Sequence, residues 1–421
     1  MELTLRNIGK IDEASITING ITIIAGENNT GKSTVGKALY CIFNAFHNID
    51  DKINDERTSL IYRAINTPFR RKRVVQRTEW IHSAATEICK NKDFYLENVD
   101  ELRGFFDRLF KFADFDVEVS EKEDIFDKIL SYLKLDENSI KSNVLKKILT
   151  SEFDMQVSNI NGKAKQSTIE LAFHEKTCID LDVIENRDIN IRESTNIYSK
   201  IAYIEDPFVI DELESLFPVF LISKENHRKD IYEMLSQKRE GSIVSSVMEE
   251  MVVSEKLNHI FIILNQICDG NLIKTDDSYA YSSSKFKQPL SLSNVSTGFK
   301  SFLILKTLLM NGSIEEGSTI ILDEPEIHLH PEWQLVLAEL IVLIYKEFGV
   351  HVLLNTHSPY FLRAIQVYSA KHKIADKCKY YLSELSDDIA VITDVSDNIE
   401  KIYSKLSQPL QKLEDERWED D

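Results

Sequence analysis

Long apolar runs and paired cysteines are both missing from this 421-residue chain. The longest apolar run, Leu340–Tyr345, is far shorter than the about 20 residues that a membrane-spanning helix needs. The N-terminal segment has neither the apolar core nor the cleavage site of a secretion signal. The five cysteines are Cys41, Cys89, Cys178, Cys268 and Cys378. No two of them form a C-x-x-C pair, and such scattered cysteines are typical of reduced thiols in the cytoplasm. These absences predict a cytoplasmic protein with no membrane partner.

Positive charge is also scarce, because 69 acidic residues outweigh 50 basic ones and leave a formal net charge of −19. Such a balance argues against a protein that coats nucleic acid without sequence preference. One local exception is Phe69–Arg77, in which five of the nine residues are basic. We interpret this segment either as solvated surface or as a phosphate-contacting patch, in which the cations that could contact DNA are Arg70, Arg71, Lys72 and Arg73.

The segment Gly26–Thr34 matches the phosphate-binding pattern G-x-x-x-x-G-K-[ST] in full. It follows a short β-branched run and precedes a segment with the apolar spacing of a helix. In such a loop, backbone N–H groups and a lysine contact the phosphates, and a hydroxyl binds Mg²⁺. We therefore predict an ATP and Mg²⁺ site in which Lys32 binds phosphate and Ser33 binds the metal. The predicted nucleotide-binding residues are Gly26, Glu27, Asn28, Asn29, Thr30, Gly31, Lys32, Ser33 and Thr34.

A second apolar run, in "TIILDEPEIHLHP", ends in two carboxylates. At the end of a strand, Asp323 can hold Mg²⁺ and Glu324 can orient or deprotonate the attacking water. The next strand pattern ends in "NTHSP", and neighbouring parallel strands present their carboxyl ends at one edge of a sheet. We therefore predict that His357 lies beside the γ-phosphate as a polar sensor. His328 and His330 have H-x-H spacing without a third ligand nearby, which disfavours a zinc site.

Strand and helix patterns alternate in the last part of the chain, which predicts an α/β fold around a mostly parallel sheet. Two late strand patterns, "KYYLSEL" and "DIAVITDV", predict an antiparallel hairpin at the edge of that sheet. The middle of the chain has mostly helical, charged patterns and a few strands. We therefore predict an ATPase head formed by residues 1–75 and 271–421, with residues 76–270 as a mainly helical insertion.

The order of these motifs, with "VSTGF" ahead of "IILDEPE", resembles the ATP-binding-cassette (ABC) class of ATPase heads. More narrowly, "GENNTGKST", "LSNVSTGFKS", "DEPEIHLHP" and "LLNTHSPYFL" look like the ATPase of the OLD (overcoming lysogenization defect) family and its relatives in bacterial anti-phage defence. The resemblance implies an ABC-type P-loop fold in which two heads pair head-to-tail. It also implies that Ser296 and the Gly298 amide bind the γ-phosphate held by the other copy, in a homodimer or a larger homo-oligomer.

Several positions depart from the pattern that the resemblance implies. Thr297 and Phe299 replace the glycine and glutamine usual in transporters, which disfavours a transporter subunit. The glutamine loop of ABC ATPases is not clearly identifiable in this sequence, and Gln76 is the candidate for its glutamine. OLD nucleases carry a Toprim nuclease domain after the ATPase, and we expect residues 358–421 to be too few for it. The sequence also has no Glu-Gly element followed by Asp-x-Asp, so we expect any nuclease activity to belong to a partner chain.

Three functions remain open from the sequence. The first is an ATPase switch subunit that controls a separate effector, a nuclease or toxin, in anti-phage defence. The second is a DNA-repair clamp of the RecF kind, which the basic segment allows and the net acidity disfavours. The third is an autonomous nuclease within residues 76–270, where no set of paired carboxylates with a lysine stands out.

Overall fold

Two units divide the chain, one built around a large sheet and one built from helices. The computed structural model describes residues 1–71, 79–112, 118–159, 166–186, 188–215, 226–237, 256–275 and 278–419. The first unit combines Met1–His47 with Leu145–Asp421, and the second is Asn48–Val144. We call them the sheet unit and the helical unit.

The strands all belong to the sheet unit. In chain order they are β1 (Glu2–Ile8), β2 (Ile11–Thr17), β3 (Ile21–Gly26), β4 (Gln166–Phe173), β5 (Lys176–Ile184), β6 (Asp188–Glu193), β7 (Ile201–Ile204), β8 (Asn271–Lys274), β9 (Tyr279–Ser282), β10 (Leu290–Ser291), β11 (Thr319–Asp323), β12 (His351–Thr356), β13 (Cys378–Ser386) and β14 (Ile389–Asp394). Among the described residues, an eleven-stranded sheet has the order β6-β5-β4-β1-β2-β14-β13-β3-β12-β11-β7, and β10-β9-β8 form a smaller sheet.

The large sheet changes character along its length. The strands from β6 to β2 pair antiparallel, whereas β13, β3, β12, β11 and β7 run parallel. The predicted α/β sheet with an antiparallel edge is therefore confirmed. The hairpin of β13 and β14 is not at that edge, however, because β13 pairs with β3 and β14 pairs with β2. Its predicted edge position is wrong, since these neighbours come from the distant N-terminus and hairpin spacing carries no information about them.

The parallel strands bring their carboxyl ends to one edge of the sheet. Every residue of β3, β7 and β11 is buried, as expected where a parallel sheet is covered on both faces. Ile204 lies opposite Leu322, Asp323 lies opposite Asn355, and Asn355 lies opposite Ile24. The residues that follow β3, β12, β11 and β7 therefore come together, and we call this place the catalytic edge.

Helices occur in both units. They are α1 (Lys32–Phe46), α2 (Ile49–Arg71), α3 (Glu79–Lys90), α4 (Lys92–Glu97), α5 (Val99–Phe112), α6 (Val119–Leu133), α7 (Glu137–Glu152), α8 (His227–Ser236), α9 (Thr297–Met310), α10 (Pro331–Phe348), α11 (Pro359–Lys371) and α12 (Glu400–Glu419). Residues 256–267 are also helical, and short 3-10 helices occur at Pro207–Glu214, Leu292–Asn294 and Ala375–Lys377. None of the described helices is both long and apolar enough to cross a membrane.

The helical unit has an aromatic core of its own. The Phe69 and Phe110 rings stack with centroids 5.9 Å apart, and the Phe106 ring packs edge-on against Phe110 at 4.8 Å. These three side chains are buried together with Phe126 and aliphatic residues of α2, α3, α5 and α6. The core explains why these charged segments fold as helices, because each one hides an apolar stripe against the others.

The division of the chain differs from the boundaries at residues 76 and 270 that the sequence suggests. The helical unit begins and ends earlier, at Asn48 and Val144. Residues after Val144 supply β4 to β7, and β4 pairs directly with β1 from the N-terminus. Backbone hydrogen bonds thus tie much of the predicted insertion to the large sheet. The helical patterns could not reveal this, because a strand partner is set by tertiary pairing.

Candidate functional site

The loop between β3 and α1 is tightly curled, as the phosphate-binding pattern predicts. Gly31 directly precedes α1 with a φ of 90°, a left-handed conformation that favours glycine. The Thr30 hydroxyl donates to the Glu27 carbonyl at 2.8 Å, and the Thr30 carbonyl accepts from Ser383 Oγ at 2.7 Å. The first turn of α1 contains no acidic side chain. The positive end of the α1 dipole is therefore suited to a phosphate group.

The Lys32 amino group is buried inside this loop. Its side chain is only 4% exposed, and Nζ donates to the carbonyls of Gly26 at 3.2 Å and Glu27 at 2.7 Å. Nζ also lies 3.7 Å from Glu324 Oε1. Burial lowers the pKa of Lys32, because the charged form loses hydration. The lysine thus sits between the loop and the carboxylate, where a phosphate could replace the carbonyls as its partner.

The outer side of the phosphate loop has an unforeseen neighbour. Glu27, Asn28 and Asn29 are exposed, whereas Ser33 and Thr34 are half-buried at the start of α1. Lys405 Nζ of α12 lies 3.6 Å from Glu27 Oε1 and 3.7 Å from Glu384 Oε1. Sequence reasoning missed this lysine, because a single basic residue on a charged C-terminal helix carries no signal.

Asp323 is buried at the end of β11, and both of its carboxylate oxygens are oriented. Asn355 Nδ2 donates to Oδ1 at 2.9 Å, and the Tyr203 hydroxyl donates to Oδ2 at 3.0 Å. Asn355 lies on the neighbouring strand β12 and Tyr203 lies on β7, the strand on the other side. Two strands therefore fix the carboxylate. Neither partner was predicted, since each is one polar position inside an apolar strand.

Glu324 and His357 meet at the catalytic edge, as predicted from the parallel strand order. Glu324 adopts a φ of 48°, and its N–H donates to the Asn355 carbonyl at 2.9 Å. Its Oε1 lies 3.4 Å from His357 Nδ1 and 3.7 Å from Lys32 Nζ. The His357 ring lowers the pKa of Glu324, and Glu324 raises the pKa of His357. Glu324 is consequently ionised next to two potential cations, as a residue that accepts a proton from water must be.

A third carboxylate, Glu326, hydrogen-bonds to the backbone of His357 and to the residue before it. Its side chain is buried, which raises its pKa, and Oε1 accepts from the Thr356 hydroxyl and from the His357 N–H. The Ser358 hydroxyl continues the network by donating to Gln334 Oε1 at 3.1 Å. Glu326 thereby sets the backbone position of His357. The "DEPE" segment was a possible signal, because its last carboxylate follows the catalytic pair by two residues.

The signature segment, which we define as residues 292–299 and which contains the predicted phosphate contacts Ser296 and Gly298, leads into the N-terminus of α9. Ser296 is exposed and directly precedes the helix, yet its hydroxyl makes no cap hydrogen bond to it. Gly298 is buried, and a Cβ at this position would lie 2.7 Å from the His328 carbonyl oxygen and 3.0 Å from Leu329 Cδ2. Only glycine allows this close approach. The signature helix therefore packs directly on the loop that follows Glu324.

A 3-10 helix, Pro207–Glu214, anchors the signature segment from the other side. Glu214 accepts hydrogen bonds from the backbone N–H groups of Leu292 at 2.6 Å and Ser293 at 3.1 Å. On the same 3-10 helix, Asp211 forms a 2.7 Å ion pair with buried Lys300 of α9. Because Pro207 follows β7 closely, the signature segment is bound to the catalytic edge through a strand that neighbours Asp323.

The catalytic edge contains the oxygen donors that Mg²⁺ prefers. The Ser33 hydroxyl opens α1, the Asp323 carboxylate ends β11, and Asn355 Oδ1 is buried without a hydrogen-bond partner among the described residues. Hard oxygen ligands at a phosphate site suit Mg²⁺. A buried polar oxygen without a protein partner is also what an ion or its water would satisfy. The residues therefore fit Mg²⁺, which Ser33 and Asp323 would hold.

Most of the basic segment and the glutamine-loop candidate lie outside the described residues. Gln76, Lys72 and Arg73 lie outside the described residues, and Arg70 and Arg71 end α2 in the helical unit. The residue that follows β7, the strand next to Asp323, is Glu205.

His328 and His330 contact a neighbouring ring and a backbone N–H group. The His328 ring packs edge-on against Phe208 at 5.6 Å, and His330 Nδ1 accepts from the Glu332 N–H at the start of α10. Across the part of the chain that the structure describes, no three His, Cys, Asp or Glu side chains group as metal ligands.

The geometry at the catalytic edge is that of a P-loop ATPase, because one phosphate could contact the phosphate loop, Lys32 and His357 while Glu324 faces it. Residues 1–362 match the family described as AAA ATPase domain. The chain therefore belongs to that family, binds ATP and is an ATPase. A comparison with curated proteins gave no match.

Solved structures of ATPase heads are similar to this chain over nearly its whole length. The SmcHead bound to the C-winged helix domain of ScpA shares 11% identity, covers 93% of this chain and 97% of its own, and has a TM-score of 0.48. The SMC head domain from Thermotoga maritima shares 11% identity over 94% of this chain and 98% of its own, with a TM-score of 0.36. An ATP-binding cassette of an ABC transporter in its ADP conformation shares 12% identity over 96% and 95%, with a TM-score of 0.36. Such values are too low to transfer a partner or substrate.

Proposed function

We propose that this chain is the ATP-driven switch subunit of a cytoplasmic anti-phage defence complex of the OLD-like kind. Two copies would pair head-to-tail around ATP and Mg²⁺, and the paired state would control a separate effector, a nuclease or a toxin. ATP binding would join the heads, and hydrolysis would release them. The defence role and the effector are supported by the motif resemblance, and the pairing is supported by the signature loop.

The observation that carries the pairing is the orientation of Ser296. A serine just before a helix usually accepts a backbone hydrogen bond, and losing such a cap costs about 0.5–2 kcal/mol. Here the hydroxyl makes no cap and remains exposed beside the first amides of α9. A hydroxyl and a helix N-terminus that face outward together form a binding site for an anion from outside. In a two-fold pair, each copy would present this group to the phosphates of the other.

Within one composite site, each residue of this chain would have a distinct task. The amides of Gly26–Thr34 and the Lys32 ammonium would bind the phosphates, and Ser33 and Asp323 would hold Mg²⁺. When bound, Mg²⁺ would neutralise charge on the phosphate oxygens. Glu324 would orient the attacking water and accept its proton, while His357 would keep Glu324 in place and contact the γ-phosphate.

Removing the proton acceptor tests this function. In Glu324→Gln, ATP should bind but persist, so ATP should convert the 48.6 kDa chain into a stable dimer of twice that mass. Size-exclusion chromatography with light scattering measures this mass directly. The matched control is the double variant Lys32→Ala, Glu324→Gln, which should remain monomeric because it cannot hold the phosphates. A Glu324→Gln protein that stays monomeric with saturating ATP would refute head-to-tail pairing.

The separate effector is tested by co-purification and by nuclease assays. Chains purified with the protein from its native host should include the effector, and the purified chain alone should cut neither DNA nor RNA. Metal-dependent cleavage that persists in Lys32→Ala would contradict a separate effector. The formal net charge of −19 disfavours the DNA-clamp alternative.

A further inference from the structure

A buried histidine outside all of the motifs is clamped between two carboxylates. His227 is the first residue of α8 and is 4% exposed. Its Nδ1 lies 2.7 Å from Glu152 Oε1, and its Nε2 lies 3.1 Å from Glu205 Oε2. The His227 N–H also donates to Glu152 Oε2 at 3.2 Å. Burial opposes the charge, but the two carboxylates outweigh it and raise the pKa of His227 to about 9.

Two neighbours of His227, Tyr203 and Glu205, connect it to the catalytic edge. The Tyr203 ring stacks on the His227 ring with centroids 4.3 Å apart and an interplanar angle of 27°. The hydroxyl of that tyrosine donates to Asp323 Oδ2 at 3.0 Å. Glu205 directly follows β7, whose last residue pairs with the residue before Asp323. Glu205 also lines, together with Glu324, a cavity of about 70 Å³.

We propose that His227 is a positioning residue of the ATPase site. Fixed by Glu152, its ring holds the Glu205 carboxylate beside Asp323 and supports the tyrosine that orients Asp323. Glu205 would then add negative charge beside Asp323, where Mg²⁺ would be held. The inference deepens the proposed function, because it rests on Asp323 as a Mg²⁺ ligand. It does not depend on head-to-tail pairing or on an effector.

This geometry separates a positioning role from a merely structural one. Residues behind a metal ligand typically change metal affinity by about 10–100-fold when they are removed. A residue that only joins α7, α8 and β7 would instead change stability and leave the metal dependence of ATP binding alone. Asp230, three residues along the same helix, provides the comparison. It accepts from the Tyr40 hydroxyl at 2.6 Å and from Asn44 Nδ2 at 2.7 Å, both on α1.

The experiment titrates the full chain with a fluorescent ATP analogue, once with Mg²⁺ and once with a chelator. We expect His227→Ala to raise Kd about 10-fold with Mg²⁺ and less than about twofold without it. Glu205→Gln should act in the same direction. In the double variant, the loss should be no larger than in the stronger single variant, because both changes remove one coupled unit. Asp230→Asn should lower the melting temperature without changing the Mg²⁺ dependence.

Three results from the variants would overturn the inference. The first is a Kd that rises equally with and without Mg²⁺ in His227→Ala. The second is a double variant in which the losses of binding free energy from the two single variants add in full. The third is an Asp230→Asn protein whose Mg²⁺ dependence of ATP binding changes as much as that of His227→Ala. If His227→Ala does not fold, His227→Gln and Glu205→Gln decide, because both keep a hydrogen-bonding group in the clamp. Wild-type ATP binding that ignores Mg²⁺ would also overturn it. By contrast, a monomeric Glu324→Gln protein would refute the pairing and leave this result standing.

Discussion

The catalytic edge of the sheet unit and the core of the helical unit bury different kinds of side chain. At the edge, Lys32, Asp323, Glu326 and His227 are all at most 6% exposed. The helical unit instead buries phenylalanine rings, and Arg57 is its one charged residue that is buried among those described. Burying an ion is costly unless it is paired and hydrogen-bonded. Each of these four groups at the edge makes at least one hydrogen bond, which offsets part of that cost.

The same contrast separates the energetic roles of the two regions. Aromatic pairs such as Phe69 and Phe110 contribute through apolar area and ring geometry, which stabilise a fold without specifying a ligand. Ion networks such as the one around Glu324 add little net stability, because the loss of hydration offsets the attraction. Substitutions at the edge should therefore change ATP binding and turnover, and substitutions in the aromatic core should change stability.

The largest expected effect comes from Ser296→Arg, which adds bulk and a cation where the other copy's phosphates would approach. Hydrolysis and ATP-dependent pairing should be lost by a factor on the order of 10³, while ATP binding at Lys32 should stay within about twofold. Steady-state phosphate release and light scattering measure the two losses. Ser83→Arg, an exposed serine of α3 in the helical unit, is the matched control and should behave as wild type. Normal turnover in Ser296→Arg would contradict a composite site.

The intermediate effect tests the aromatic core. Phe110→Ala should lower the free energy of unfolding of the helical unit by about 3–5 kcal/mol, because it opens a cavity between Phe69 and Phe106. Thermal or urea unfolding measures the change. The control is Phe94→Ala, whose ring is 52% exposed and whose loss should cost at most about 0.5 kcal/mol. Loss of ATP hydrolysis in Phe110→Ala at a temperature where the protein is fully folded would contradict the expectation that the aromatic core affects stability and not turnover.

The smallest effect concerns Lys405, which links α12 to the phosphate loop through Glu27. Lys405→Ala would leave the Glu27 carboxylate without this cation near the incoming triphosphate. A partly exposed pair of this kind is worth well under about 1 kcal/mol, so the Kd for ATP should rise about two- to threefold. Lys401→Ala, which removes an exposed lysine from the preceding turn of α12, should change nothing. A larger rise of the Kd in Lys401→Ala than in Lys405→Ala would show that the contact between Lys405 and Glu27 does not support ATP binding.

Local signals explain which parts of the site could be predicted. The phosphate loop is continuous in the chain, so its glycine, lysine and hydroxyl spacing already predicts a curled backbone, and Gly31 has the left-handed conformation that this needs. Glu324 and His357 were predicted to follow neighbouring parallel strands, which align their carboxyl ends at one edge, and the two side chains lie 3.4 Å apart. Their catalytic roles, like those of Ser296 and Gly298, remain predictions that the proposed variants test.

Long-range pairing explains what the sequence could not reveal. Tyr203, Glu205 and His227 are single polar residues with ordinary neighbours in the chain, and they become a network only because β7 lies beside β11. The β13–β14 hairpin was misplaced for the same reason, and nothing in the local pattern indicated that β4 pairs with β1. The order of strands in a sheet is a tertiary property, and local periodicity does not contain it.

By itself, the sequence determined the P-loop ATPase class, the α/β architecture and the residues of the phosphate loop, because each depends on spacing within one short segment. Only the tertiary structure decided where the helical unit begins and ends, which carboxylates are buried, and which side chains orient Asp323. Burial and hydrogen-bond partners are set by contacts between segments that are distant in the chain. A sequence pattern can therefore predict catalytic residues, but not the residues that hold them in place.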